Sequence, residues 1–155
     1  MRVGIGYDVH SFKKDRKLIL GGVEIQHYQG LEGHSDADVL VHSIMDALLG
    51  AAGLDDIGVH FPDTDMKYKN ISSLKLLSIV KEMILNAGYR IINIDCVLIL
   101  EKPKISNYSK LMKKNIAQVL EISEDKINIK ATTTEKLGFC GREEGIAAES
   151  IALID

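Results

Sequence analysis

Asp8, Val9 and His10 carry the first residue types in the chain that could do chemistry. On a strand, alternate residues share a face, so Asp8 and His10 would present a carboxylate and an imidazole side by side. Alone, Asp-x-His also describes a polar pair at a strand end. A third group, His42, falls on the polar stripe of a helical stretch, with Asp46 one turn later, spaced to hold the second imidazole nitrogen. One carboxylate, two imidazoles and an open fourth position match what a catalytic Zn²⁺ accepts.

Two further segments invite a phosphate. In Gly33-His34-Ser35-Asp36-Ala37-Asp38 a glycine turn precedes a helix start, where unpaired backbone N–H groups attract anions. Simple capping reads the same string, with Ser35 as N-cap and both aspartates favourable in the first turn. Near the C-terminus, Thr132, Thr133 and Thr134 leave a strand ahead of Glu135, a glycine-flanked Phe139 and Arg142. Such a loop could cradle phosphates and offer Glu135 to a hard cation, or be a Thr-rich strand exit with surface charges. His27 and His60 lack a spaced partner and read as structural. Cys140 has no paired base and is a poor nucleophile candidate.

The elements that must position these groups follow from periodicity. Strands are expected at 2–12 and 17–25 around a charged turn at 13–16. A helix runs from 36 to about 53, with Leu40, Val41, Ile44, Leu48 and Ala52 on its apolar stripe. A loop over 54–65 leads to a helix at 71–87, stopped by Gly88. A strand over 90–100 closes at Pro103, followed by a helix at 106–121, a strand at 126–132, a polar loop at 133–144 and a strand at 145–154. This order predicts a single α+β domain spanning 1–155, its helices on one face of a mixed β-sheet in a ferredoxin-like arrangement.

Composition limits the partners. With 155 residues, 46% of them hydrophobic, the chain has material for one proper core. A net charge of −3, aromatics at 5% and no Trp supply neither a basic footprint nor stacking platforms, so nucleic acid and membrane surfaces are not expected partners. Two distant cysteines exclude a disulfide framework or a Cys-rich zinc site and fit a reducing compartment. The weakly charged stretch 39–54 is too short to span a bilayer, and Met1 to Gly6 contains no leader-like segment. A cytoplasmic or mature organellar location is the expectation.

Five strings, GIGYDVHSF (4–12), GHSDADVLVHSIMDALLGAAGLDDIG (33–58), FPDTD (61–65), EKPKI (101–105) and ATTTEKLGFCGREEGIA (131–147), together resemble the 2-C-methyl-D-erythritol 2,4-cyclodiphosphate synthase family along the whole chain. The resemblance implies a metal-assisted cyclisation in non-mevalonate isoprenoid biosynthesis. The 2-phosphate of 4-diphosphocytidyl-2-C-methyl-D-erythritol 2-phosphate would attack the β-phosphorus and release CMP, a phosphorus–oxygen lyase reaction. It implies Asp8, His10 and His42 as Zn²⁺ ligands, Glu135 as the carboxylate for Mg²⁺ or Mn²⁺, and His34 with Thr133 as transition-state stabilisers. Ser35 would contact the 2-phosphate; Asp56, Ile57, Gly58 and Asp63 would form the methylerythritol pocket, with Phe61, Pro62, Thr64 and Asp65 as further substrate contacts. For cytidine the matching residues are Leu100, Glu101, Lys102, Pro103, Lys104, Ile105 and Ser106 with Ala131, Thr132 and Thr133, and Thr134 would be a further substrate contact. It also implies a homotrimer with sites between subunits, and Phe139 and Arg142 beside an axial anion position. Two other functions share these residues: a zinc-dependent phosphoesterase, and a non-catalytic trimeric module that binds metal or an isoprenoid.

Overall fold

The first strand decides where everything else sits. In the computed structural model, which describes residues 1–155, β1 (Arg2–Lys13) turns Gly4, Gly6, Asp8 and His10 to one side and Val3, Ile5, Tyr7 and Val9 to the other. The glycines leave room for a helix. A Cβ on Gly4 would lie 2.1 Å from the Ala47 carbonyl oxygen, and one on Gly6 would lie 2.0 Å from that of Ser43. So α1 (Val39–Ala52) rests directly on the β1 backbone, and its side chains pack into the core.

The main sheet has five strands in the order β4-β1-β7-β5-β6, with β4 at Gly30–Leu31, β5 at Ile91–Ile99, β6 at Ile127–Thr132 and β7 at Gly145–Ile154. β7 runs antiparallel to both β1 and β5, while β5 and β6 are parallel and joined by the crossover helix α4 (Ser109–Leu120). α1 covers β1 and β7, α4 covers β6, and α3 (Ser73–Asn86) packs against both helices. A continuous cluster of 34 buried apolar residues lies between this helical layer and the sheet. The opposite sheet face carries no element of this chain, and Val3, Ile5, Tyr7 and Ile151 are exposed there. No helix is long and apolar enough to cross a membrane.

The α+β class, the mixed sheet and the helices on one face are as the periodicity indicates. Four details differ. The ferredoxin-like arrangement does not hold, because the sheet strands β1, β5, β6 and β7 and the three long helices run β-α-α-β-α-β-β, whereas that motif runs β-α-β-β-α-β. The stretch 17–25 is not one strand but a tight hairpin of β2 (Leu18–Leu20) and β3 (Val23–Ile25), turned by Gly21 and Gly22 at φ +57° and +69°. The loop over 54–65 contains a short helix, α2 (Ile57–His60), capped by Asp56. The helix starts at Val39, and its N-cap is Asp38, not Ser35. Asp38 is fully buried and accepts from Val41 N at 3.1 Å, Gly21 N at 2.9 Å and Gly22 N at 2.7 Å, so the hairpin's orphan donors select it as cap.

Candidate metal centre and adjoining pockets

The β1 alternation and the close approach of α1 bring Asp8, His10 and His42 together. His10 Nε2 lies 2.9 Å and His42 Nδ1 3.1 Å from Asp8 Oδ2, and the two ring nitrogens are 3.1 Å apart. Ligands about 2.0–2.2 Å from a tetrahedral zinc stand roughly 3.3–3.5 Å from each other, so the three atoms already approximate one face of such a shell. Their chemistry fits as well. The Glu32 carbonyl, which can only accept, meets His10 Nδ1 at 2.6 Å, leaving Nε2 of the neutral ring with its lone pair turned to the cluster.

Electrostatics point the same way. Burial works to raise the Asp8 carboxyl, yet the hydrogen bonds and charges of His10 and His42 outweigh it and hold Asp8 well below the usual carboxylate range. Burial works to lower His10, but the hydrogen bond and charge of Asp8, with the Glu32 carbonyl, raise it overall. The cluster therefore attracts a cation. Asp46 does not take the other His42 nitrogen: it accepts from Ile57 N at 2.8 Å and so anchors α2. Burial raises its carboxyl, and Asp56 adds to the shift. His42 Nε2 instead meets Ser73 Oγ at 2.9 Å and Ser35 Oγ at 3.2 Å, because α3 begins beside it.

His10 and His42, but not Asp8, line a cavity of about 550 Å³. Of the sequence candidates, His10, His34, Ser35, His42, Ile57, Gly58, Phe61, Pro62, Asp63 and Thr64 line it. Asp56 and Asp65 do not; they cap α2 and the 3₁₀ turn at Met66–Tyr68, and the Asp65 carbonyl lies 3.2 Å from His34 Nε2. Met45, Tyr68 and Leu76 complete the apolar wall and were not singled out, since each reads as ordinary core in its own segment.

A second cavity, of about 450 Å³, gathers Leu100, Glu101, Pro103, Lys104, Ile105, Ser106, Ala131, Thr132 and Thr133, with Ser109 and Ile129 added. It shares no lining residue with the first. Lys102 lies outside it and pairs with Glu143 at 3.0 Å. Beyond β6 the chain is exposed, and Glu135 and Lys136 adopt left-handed backbone at φ +54° and +65°. Glu101 holds this loop, its Oε1 accepting from Thr134 N and Lys136 N, each at 3.1 Å. Thr133 Oγ1 donates to Glu135 Oε1 at 2.8 Å, so these two side chains meet, remote in contacts from the Asp8 cluster. Arg142 forks onto Glu144 at 2.9 and 3.0 Å, and Phe139 lies exposed on α5 (Gly138–Gly141).

The remaining candidates are quiet. His60 Nε2 meets the Leu54 carbonyl at 2.6 Å, and His27 packs between Phe12 and Tyr28. Cys140 is buried, and burial raises its thiol; Cys96 is pushed up to about 12 by burial. Neither is poised as a thiolate. Sequence reasoning missed Ser73 and the acceptor role of the Glu32 backbone. Nothing in Ser73's own neighbourhood distinguishes it from a helix-starting serine, and a carbonyl has no sequence signature.

The chain resembles known proteins along its whole length. Residues 1–155 match the YgbB family. The 2-C-methyl-D-erythritol 2,4-cyclodiphosphate synthase of Clostridium botulinum (strain Kyoto / Type A2) is 61% identical over 155 residues, covering all of both chains. That of Clostridium acetobutylicum is 63% identical over 154 residues, 99% of each chain. Among solved structures, a bifunctional IspDF from Campylobacter jejuni superposes with a TM-score of 0.95 at 49% identity, over 99% of this chain and 42% of that one. The Plasmodium falciparum IspF in a CDP complex gives 0.86 at 39% identity, over 99% and 94%. The chain belongs to the YgbB family.

Proposed function

We infer that the chain is a 2-C-methyl-D-erythritol 2,4-cyclodiphosphate synthase of non-mevalonate isoprenoid biosynthesis. Similarity to named synthases over the full length, with His10 and His42 of the Asp8–His10–His42 cluster lining a cavity, carries this reading. The reaction is an intramolecular phosphoryl transfer: an oxygen of the 2-phosphate bonds to the β-phosphorus as the bond to the CMP oxygen breaks. Positioning and charge neutralisation are most of the task, because the nucleophile is already tethered.

Asp8, His10 and His42 would hold Zn²⁺, and Glu135 would hold Mg²⁺ or Mn²⁺; bound cations offset the charge that develops on attacking and leaving oxygens. His34 and Ser35 line the first cavity, where an N–H and an O–H can meet the 2-phosphate. Ile57, Gly58 and Asp63 lie where a branched polyol would sit, with Phe61 against its apolar side. The second cavity, with backbone from Leu100 to Ser106 and from Ala131 to Thr133, suits a cytosine ring, and Thr133 would steady the phosphates beside Glu135.

The two cavities have no residue in common, and β1 presents an apolar strip, Val3, Ile5, Tyr7 and Val9, on the uncovered sheet face. A homotrimer answers both facts: it buries that strip and sets the metal cavity of one copy against the nucleotide cavity of the next. Phe139 and Arg142 would then lie near the shared axis. The deciding experiment incubates purified protein with Zn²⁺, Mg²⁺ and the diphosphocytidyl substrate and follows products by phosphorus NMR. CMP and the cyclic diphosphate are expected. A linear product would mean a phosphoesterase, and no CMP would mean a binding module; either result overturns the reading.

A further inference from the structure

We propose that Ser73 and Asp36 are positioning residues that lock His42 in the tautomer whose Nδ1 lone pair faces the metal position, leaving the Ser35 hydroxyl free to donate into the cavity. The proposal rests on reading Asp8, His10 and His42 as a metal site.

The hydrogens can be counted one by one. Ser73 is fully buried at the first turn of α3, and its Oγ makes a short hydrogen bond to Asp36 Oδ1. Asp36 Oδ2 also accepts from Ser73 N at 3.0 Å, and Oδ1 from Asp38 N at 3.3 Å, so the Asp36 carboxylate acts throughout as an acceptor. The single Ser73 hydroxyl proton is therefore committed to Asp36. What Ser73 Oγ has left is a lone pair, and His42 Nε2 lies 2.9 Å from it. Nε2 must carry the hydrogen, and in the neutral ring Nδ1 must then be bare. Nδ1 is the nitrogen that meets Asp8 and His10.

Ser35 competes for the same N–H at 3.2 Å, less closely, while its Oγ accepts from Ala37 N at 3.1 Å. With His42 satisfied by Ser73, the Ser35 hydroxyl proton has no partner within the cluster, and Ser35 lines the cavity. Backbone bonds keep the relay in place. Asp36 N donates to the Ile71 carbonyl at 3.1 Å and Asn70 N to the His34 carbonyl at 2.8 Å, so the segment after Gly33 and the entry to α3 form one clamp behind His42. The relay thus spans segments about thirty residues apart that no local motif connects.

The test uses the full chain as wild type and as Ser73→Ala, Ser73→Thr, Asp36→Asn and His42→Ala variants. Zn²⁺ affinity is read by competition with a chromophoric chelator, and the His42 tautomer by ¹⁵N shifts in the metal-free protein. We expect Ser73→Ala to bind Zn²⁺ about 10–100-fold more weakly, as for other lost partners of a metal-bound imidazole, with Ser73→Thr roughly at wild-type affinity. In the wild type Nε2 should carry a hydrogen whether or not Nδ1 also shares one with Asp8, and Ser73→Ala should show Nε2 partly bare. Wild-type affinity in Ser73→Ala overturns the inference, as does a Ser73→Thr protein as weak as Ser73→Ala. If Ser73→Ala fails to fold, Asp36→Asn decides: weakened Zn²⁺ binding supports the relay and unchanged binding overturns it. A wild type that binds no better than His42→Ala instead removes the metal reading itself.

Discussion

The two cavities are built by opposite means. Around Asp8, His10 and His42 the ring nitrogens turned away from the cluster are held by the fold: the Glu32 carbonyl behind one ring, Ser73 and Ser35 behind the other, with close glycine contacts that set α1 on β1. Around Thr133 and Glu135 the chain is exposed, two successive non-glycine residues are left-handed, and one carboxylate, that of Glu101, holds the turn. The first half is organised by the fold of a single chain. The second is an exposed turn whose hydrogen bonds run within the loop and to Glu101. A site assembled from both needs rigidity where bond geometry is demanding and an open surface where another molecule must close over it.

Perturbing each half separately breaks this contrast. His42→Ala should abolish high-affinity Zn²⁺ binding and lower CMP release about a thousandfold or more, since a cation contributes several kcal/mol of charge stabilisation; zinc content and turnover measured together check it. Gly6→Ala should cost about 3 kcal/mol or more, because its Cβ would meet a helix carbonyl that cannot move alone. A fall in melting temperature of roughly 6–12 °C is the expected reading.

Glu135→Gln should retain Zn²⁺ yet lose activity about a hundredfold. Co-assembled with His42→Ala from an equal mixture, it should recover about a quarter of wild-type activity, the fraction of interfaces that pair two intact halves by chance. No recovery in a mixed oligomer would place both halves in one chain.

The smallest effect is a pH dependence of the metal-free protein. Asp8 is held below its ordinary 3.8, so its stabilisation is present above that pH and lost as pH falls through the lowered value. His10 is raised above its ordinary 6.5, so its share is complete below that pH and lost as pH rises through the raised value. The coupling between Asp8→Asn and His10→Gln, from denaturation of chelator-treated protein, should therefore be greatest between these values, at about 1 kcal/mol, and smaller at pH 9.

Much of this was legible beforehand because it is periodic. The period of two in β1 puts Asp8 beside His10, and the helical spacing of Leu40, Ile44 and Leu48 turns His42 out of the apolar stripe toward them. The hairpin at Gly21 and Gly22 was misread as one strand because its apolar residues continue on both sides of the turn. Ser35 looked like the cap and Asp46 like the partner of His42 because both satisfy local spacing. Local spacing does not register that Gly21, Gly22, Ile57 and Ser73 offer competing partners from elsewhere in the chain.

The residue types alone determined the chemistry on offer: a carboxylate and two imidazoles for a cation, and hydroxyls and glycines for phosphates. Strand and helix periods determined which side chains share a face. Only the tertiary structure decided which hydrogen-bond partner each of them took, because a buried donor or acceptor must be satisfied by whatever the packing brings within about 3 Å, whatever its distance along the chain. So Asp38 caps α1, Asp46 anchors α2, and Ser73 stands behind His42.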